Sequence, residues 1–198
     1  MKTFRIILWS TIAILVAIVG YLSFDWQVNK GSDEAAFGGS FTLTDQNGNA
    51  ITETAFQEKP TALFFGFTHC PEICPTTLYE LDAWMEEADP TGEKINGYFV
   101  SVDPEKDTAE ILKLYVGNVS DRITGITGDP DDVHQMLKKF KIYFKKIPLD
   151  ATDPAGDYTM DHTASVLLFN NQGRFKSTIA YGENPDTAIQ KLKNLLKG

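Results

Sequence analysis

The chain has 198 residues, 42% of them hydrophobic, 23% charged and 12% aromatic, with two cysteines and a net charge of −9. That length suits one globular unit with an appendage, and the composition excludes extended disorder. Two cysteines exclude a disulfide-rich scaffold and a four-cysteine zinc site, and the acidic balance removes the electrostatic driving force for binding nucleic acid.

The charge is unevenly distributed. Lys2 and Arg5 are the only charged residues among the first 24, so the rest of the chain carries −11. Ile6–Phe24 is an uncharged run of 19 residues, which as a helix spans about 28 Å, one hydrocarbon core. Trp9, Tyr21 and Trp26 stand near its ends, where interfacial aromatics belong. A cleaved signal peptide would end in small residues of the A-x-A kind, whereas Leu22-Ser23-Phe24-Asp25-Trp26 follows here, and no cysteine follows to carry a lipid. The expectation is a cytoplasmic start and uncleaved membrane anchor over 1–24, a Gly/Ser-containing linker over 25–40, and a folded domain over 41–198. The basic start places that domain on the exported side, where disulfides can form. Without an Arg-rich leader, the setting is a bacterial inner membrane with a single-pass protein and a periplasmic domain.

Phe41–Asp45 and Ala50–Thr52 flank the turn Gln46–Asn49 and read as a hairpin. The apolar run Thr61–Phe67 suits a strand buried on both faces. Leu78, Leu81, Trp84, Met85 and Ala88 then recur at helical spacing. Gly97–Val102 is a further strand, and Asp107, three residues before Glu110, is positioned to cap a helix reaching about Val116. A short strand over Arg122–Thr127 precedes a helix opened by Asp129-Pro130. A long loop from Lys145 to Asp161 leads to a second hairpin, Ala164–Phe169 with Arg174–Ile179, and a last helix from Asn184-Pro185 through Leu196. Strands alternating with helices predict an α/β domain with a largely parallel sheet. A terminal hairpin followed by a helix is the thioredoxin-like arrangement, here extended by the N-terminal hairpin and the transmembrane helix.

The chemistry concentrates at Cys70 and Cys74, where a buried strand gives way to a helix. Side chains at i and i+4 share a helix face, so the two sulfurs can converge on one ion or, with strain, on each other. A helix N-terminus favours the thiolate that both metal binding and redox chemistry require. The plain alternative, two buried core cysteines, sits poorly with an exported domain whose only cysteines share one turn. Soft thiolates suit Cu(I) and also zinc, and a third ligand would be a histidine. His69 adjoins Cys70 but points elsewhere, and His134 falls on the polar side of its helix as a solvated residue. His162 follows the long loop, and loops of that length are often functional. Its spacing of 92 residues from Cys70 joins the two only if the fold does.

Four blocks supply that fold by resemblance. Phe65-Gly66-Phe67-Thr68-His69-Cys70-Pro71-Glu72-Ile73-Cys74-Pro75-Thr76-Thr77-Leu78 resembles the signature of the Sco/SenC family of copper-handling proteins. Val100-Ser101-Val102-Asp103-Pro104-Glu105-Lys106-Asp107-Thr108, Ile123–Gly128 and Asp161-His162-Thr163-Ala164 are similar to its later blocks, in order. The resemblance implies a thioredoxin-like domain binding one copper ion, Cu(I) or Cu(II), through Cys70, Cys74 and His162. It implies a metallochaperone, not an enzyme, that serves the dinuclear copper centre in the second subunit of cytochrome c oxidase, fed by a periplasmic copper donor or thiol reductant. By the same analogy Asp103 lies near the site and tunes it or meets the partner. Asp161 is a candidate to orient His162 from behind the ligand. Pro148, Tyr158 and Met160 read as ordinary loop residues. The chain departs from the family in the turn Phe169–Gly173, which lacks the usual Asp-rich sequence.

Two rivals remain open. A thiol–disulfide oxidoreductase that keeps the oxidase's copper-site cysteines reduced would use Cys70 and Cys74 without His162. A peroxiredoxin-like peroxidase, suggested by Phe67-Thr68 before Cys74-Pro75-Thr76, leaves Cys70 and His162 unexplained.

Overall fold

A computed structural model of the chain describes residues 9, 14–16, 18–21, 37–153 and 156–197. Most of the expected anchor and linker lies outside these residues; among those described, no helix is long and apolar enough to cross a membrane. The chain divides into two units, Met1–Ala35 and Ala36–Gly198, and the architecture that follows is that of the second.

Among its described residues nine strands form: β1 (Thr42–Asp45), β2 (Ala50–Thr52), β3 (Thr61–Gly66), β4 (Asn96–Ser101), β5 (Ile123–Thr127), β6 (Phe144–Pro148), β7 (Tyr158–His162), β8 (Ser165–Phe169) and β9 (Phe175–Ala180). Four helices accompany them: α1 (Ile73–Ala88), α2 (Ala109–Gly117), α3 (Pro130–Lys139) and α4 (Pro185–Leu195). Seven strands make one sheet in the order β2-β1-β5-β4-β3-β8-β9. β3, β4 and β5 run parallel, and β8 returns antiparallel to β3 with Phe64 opposite Val166. The apolar run in β3 is explained by its central position, with all six residues buried. This is the mixed α/β, thioredoxin-like arrangement that the terminal hairpin and helix predict, but the sheet is not largely parallel: β3–β4 and β4–β5 pair parallel, while the two hairpins and their junctions, β1–β2, β1–β5, β3–β8 and β8–β9, pair antiparallel.

Local chemistry sets the helix starts. Asp129 accepts from the Asp131 amide and Asn184 from the Thr187 amide, each followed by a proline whose missing N–H costs the first turn nothing. α2 departs from expectation. Its cap is Thr108, whose hydroxyl accepts from Ile111 N. Asp107 is instead fully buried and committed elsewhere. α1 departs too, because it begins at Ile73 and leaves Cys70 in the preceding turn.

The largest correction falls between Lys145 and Asp161. That segment is not one long loop: its two ends, β6 and β7, pair as a separate two-stranded antiparallel sheet, Phe144 opposite His162 and Pro148 opposite Tyr158. The pairing was hidden because residues 144–148 carry two lysines and end in proline, with no short turn signal between the strands. Residues directly opposite share a face, so Phe144, Lys146 and Pro148 lie on the same side as Tyr158, Met160 and His162. That side faces the domain: Met160 is buried, and Phe144 stacks on His134 of α3 at 4.9 Å between ring centroids. His134 is thus half-buried against the hairpin and not simply solvated.

At the carboxyl end of β3, Gly66 has no room for a side chain. A Cβ there would lie 2.7 Å from Phe99 and 2.9 Å from Cys74 Sγ. Gly66→Ala should therefore lower the urea unfolding midpoint by an amount equivalent to about 1–3 kcal/mol, the usual cost of overpacking. A midpoint equal to the parent's would show that Cys74 is not held against the β3 backbone.

Candidate metal centre

Parallel strands present their carboxyl ends to a common crevice, and three blocks singled out in the sequence meet there. β3 leads through Phe67 to Cys70, β4 leads to Asp103, and β7 ends at His162. Cys74, in the first turn of α1, is buried, while Cys70 and His162 are half-buried.

Cys70 acts as the cap of α1. Glu72 makes no side-chain cap, and the first-turn amide of Cys74 donates instead to Cys70 Sγ at 3.3 Å. The convergence of the two sulfurs comes from this capping turn and not from a shared helix face. The same contact polarises the pair. A hydrogen bond from the Cys74 thiol holds the Cys70 thiol far below its ordinary 9.0, at about 4, with further help from the backbone amides of Cys74 and Glu72. That bond to Cys70, and then burial, push the Cys74 thiol upward, with the nearby Asp107 charge adding to the effect. The reduced site is one thiolate beside one thiol.

His162 completes the group. Its Nδ1 lies 3.0 Å from the Thr163 carbonyl, and since a carbonyl only accepts, Nδ1 carries the proton and Nε2 keeps its lone pair. Nε2 stands 3.6 Å from Cys74 Sγ across 88 residues of sequence. Phe67 packs edge-on to the imidazole at 5.8 Å. The orienting role foreseen for Asp161 falls to this backbone carbonyl; Asp161 is exposed, opposite Lys145 on the outer face of the hairpin.

The donor chemistry fits a soft metal ion. Thiolate and imidazole ligands bound at about 2.3 and about 2.0 Å, at about 110–120° to each other, stand about 3.5–3.7 Å apart, the spacing Cys74 and His162 already have. Among the described residues, no group of three or more His, Cys, Asp or Glu side chains stands in a ready coordination shell. The Cys74 thiol proton and the hydrogen bonds that now link the donors must give way to an ion, so binding releases a proton.

Beneath the donors lies a polar network that residue patterning undervalued. Asp107, first read as a helix cap, accepts from Thr68 N (3.1 Å), Thr68 Oγ1 (2.6 Å) and Ser101 Oγ (2.7 Å). Its carbonyl oxygen accepts from Thr127 Oγ1. Burial pushes its carboxyl above the ordinary carboxylate range. Thr68, part of the motif that suggests the peroxidase alternative, is bonded to Asp107 through both its amide and its hydroxyl. Asp103 is 1% exposed and accepts from the Tyr158 hydroxyl at 2.9 Å, so Tyr158 is not an ordinary loop residue. His69 is exposed, its Nδ1 on the Thr68 hydroxyl.

Fold and site together define a thioredoxin-like domain whose dithiol is overlaid by a histidine from a separate hairpin. A sequence model of the SCO1/SenC family matches residues 29–197, and the chain belongs to that family. It is 36% identical over 170 residues to Protein SCO2, mitochondrial, of Saccharomyces cerevisiae, a match covering 85% of this chain and 56% of that protein. The chain thus spans little more than half the length of that relative. Among solved structures it is similar to Bradyrhizobium japonicum ScoI with copper bound, at 41% identity and a TM-score of 0.73 over 81% of this chain and 99% of that one. Yeast Sco1 with copper bound gives 31% identity and a TM-score of 0.74 over 82% and 90% of the two chains.

The polarised dithiol has a direct signature. In the reduced, metal-free chain, Cys70 should take up iodoacetamide first, at a rate nearly constant from pH 6 to 8, because its thiolate is already formed throughout that range. An ordinary thiol near 9 would instead quicken almost tenfold per pH unit there. Peptide mapping that finds Cys74 modified first, or a steep rate profile for Cys70, would contradict the assignment.

Proposed function

We propose that this chain is a copper-binding protein of cytochrome c oxidase assembly, holding one copper ion with Cys70, Cys74 and His162 and passing it to the oxidase's copper-site subunit. The observation that carries the reading is the 3.6 Å approach of His162 Nε2 to Cys74 Sγ. A dithiol working in disulfide exchange alone has no need of an imidazole lone pair fixed over its buried sulfur. The copper-bound state of the ScoI and Sco1 relatives supports the choice of metal.

Two thiolates and one neutral imidazole give Cu(I) a three-donor site of net charge about −1, matched to a soft ion. Three donors leave room for a fourth from a receiving protein, so the ion passes by ligand exchange without becoming free. The site's place at the strand ends, with Cys70 and His162 half-exposed, gives that receiver access. We further infer that residues 1–24 anchor the chain in a bacterial inner membrane with the domain in the periplasm. What supports this is the basic start followed by 19 uncharged residues.

A second reading rests on the low-lying Cys70 thiolate. It can attack a partner disulfide to form a mixed disulfide, which Cys74 resolves, two electrons passing to the partner as Cys70 and Cys74 become a disulfide. The two roles use one dithiol and exclude each other in time, because the disulfide removes two of the three metal donors.

Anaerobic Cu(I) competition titration separates them. The chain should take up one ion. Cys70→Ser and Cys74→Ser should abolish tight binding and, in cells, oxidase assembly with it. His162→Ala should weaken binding by more than the about 10–100-fold typical of losing a contact behind a ligand, while its dithiol still cycles between thiol and disulfide. Wild-type Cu(I) affinity in His162→Ala would overturn the three-donor site.

A further inference from the structure

The two halves of the proposed centre arrive on different elements, the cysteines on the β3–α1 turn and the histidine on the β6–β7 hairpin. A chain of hydrogen bonds joins them without passing through any metal donor. Thr68, two residues before Cys70, donates through its amide and hydroxyl to Asp107. Ser101 Oγ donates to the same carboxylate, at 2.7 Å, and accepts from Asp103 N at 2.9 Å. Asp103 Oδ1 then receives the Tyr158 hydroxyl at 2.9 Å, and Tyr158 lies on the strand that ends in His162.

Tyr158 is held from more than one direction. The Lys106 ammonium stands 3.7 Å from its ring centroid and that of Lys146 4.6 Å, both within the range of attraction between a cation and an aromatic face. Lys146 is in turn anchored by Glu105 at 2.6 Å. Lys106 and Glu105 belong to the turn after β4, so the ring is clamped between its own hairpin and that turn. Asp103 is the more telling partner. It is almost wholly buried, its Oδ2 has no hydrogen-bond partner among the described residues, and the Tyr158 hydroxyl is the bond its carboxylate receives. A buried carboxylate that depends on one donor ties that donor's strand firmly in place.

Side chains alternate across a strand. Tyr158, Met160 and His162 therefore face the same way, and fixing the first while burying the second sets the approach of the third. We propose that Tyr158 is the positioning residue for His162, a latch between the hairpin and the Asp103–Asp107 turn that holds the imidazole over the two sulfurs. Releasing the latch lets the hairpin lift and leaves a two-sulfur site, which loads and unloads differently from the three-donor one. The inference rests on the proposed metal centre, with His162 as a ligand. Tyr158 touches no metal donor and acts only through His162.

A double-mutant cycle on the full chain tests this, with Cu(I) and a chromophoric chelator as competitor. Tyr158→Phe keeps the ring and removes the hydroxyl. It should weaken Cu(I) binding about 10–100-fold and leave Cys70 alkylation unchanged. Placed in the His162→Ala background, it should cost nothing further, since the ligand it positions is gone. Tyr158→Phe combined with Asp103→Asn removes the latch without stranding a buried charge, and should loosen Cu(I) equally while keeping the parent's unfolding midpoint. Parental affinity in Tyr158→Phe, alongside a weakened His162→Ala, overturns the latch and leaves the metal centre standing. An undiminished penalty in the His162→Ala background also overturns it, by showing a general structural role. Parental affinity in His162→Ala overturns the centre itself, and the latch with it.

Discussion

The antiparallel return of β8 beside β3 is the constraint on which the site depends. β3 runs toward the thiol turn and β8 runs away from the histidine, so pairing Phe64 with Val166 sets the start of one strand beside the end of the other. His162, just before β8, then meets Phe67 and Cys74, just after β3. No local preference could join residues 88 apart; the register of a buried strand pair does so, and a one-residue slip would turn β8's apolar residues from one face of the sheet to the other. The centre therefore comes into being only once a non-local contact has formed.

Within that frame the electrostatics are asymmetric by construction. Cys70 caps a helix that lacks any other side-chain cap, and hydrogen bonds that favour a thiolate converge on it. Cys74 is enclosed against Gly66 and Phe99 and stays a thiol. The buried Asp107 couples the thiol turn to β4 through Thr68 and Ser101, so a carboxylate that contacts neither sulfur directly still fixes where both stand. An attacking or metal-accepting Cys70 and a shielded Cys74 suit handover by exchange: the accessible donor can leave first while the buried one retains the ion.

Much of the fold was legible because it followed period and punctuation. The continuous apolar run of β3, the Asp129-Pro130 and Asn184-Pro185 helix starts and the closing hairpin each carry their own signal. The two sulfur donors were legible from scarcity, since the chain has two cysteines; His162 was joined to them by the family resemblance and not by its spacing. What escaped was tertiary. Asp107 has the spacing of a helix cap, but a buried cluster of hydroxyls claims it and leaves capping to Thr108. β6 and β7 have no tight turn between them, and their pairing is made worthwhile by burying Met160 and stacking Phe144 on His134. Asp161 sits beside the histidine in sequence, yet strand alternation turns it outward and gives its expected task to the Thr163 carbonyl. Tyr158 looked ordinary for the same reason: its partner Asp103 is 55 residues away.

The proposed copper centre requires two sulfurs and one imidazole nitrogen to converge on a single ion. X-ray absorption at the copper edge of the Cu(I)-loaded chain tests it most directly. The expected spectrum is that of a three-coordinate ion with two sulfurs at about 2.3 Å and one nitrogen at about 2.0 Å, the lengths such ligands make to ions of this size, together with the outer-ring scattering of an imidazole. A two-coordinate spectrum with sulfur alone, and no imidazole scattering, would contradict it.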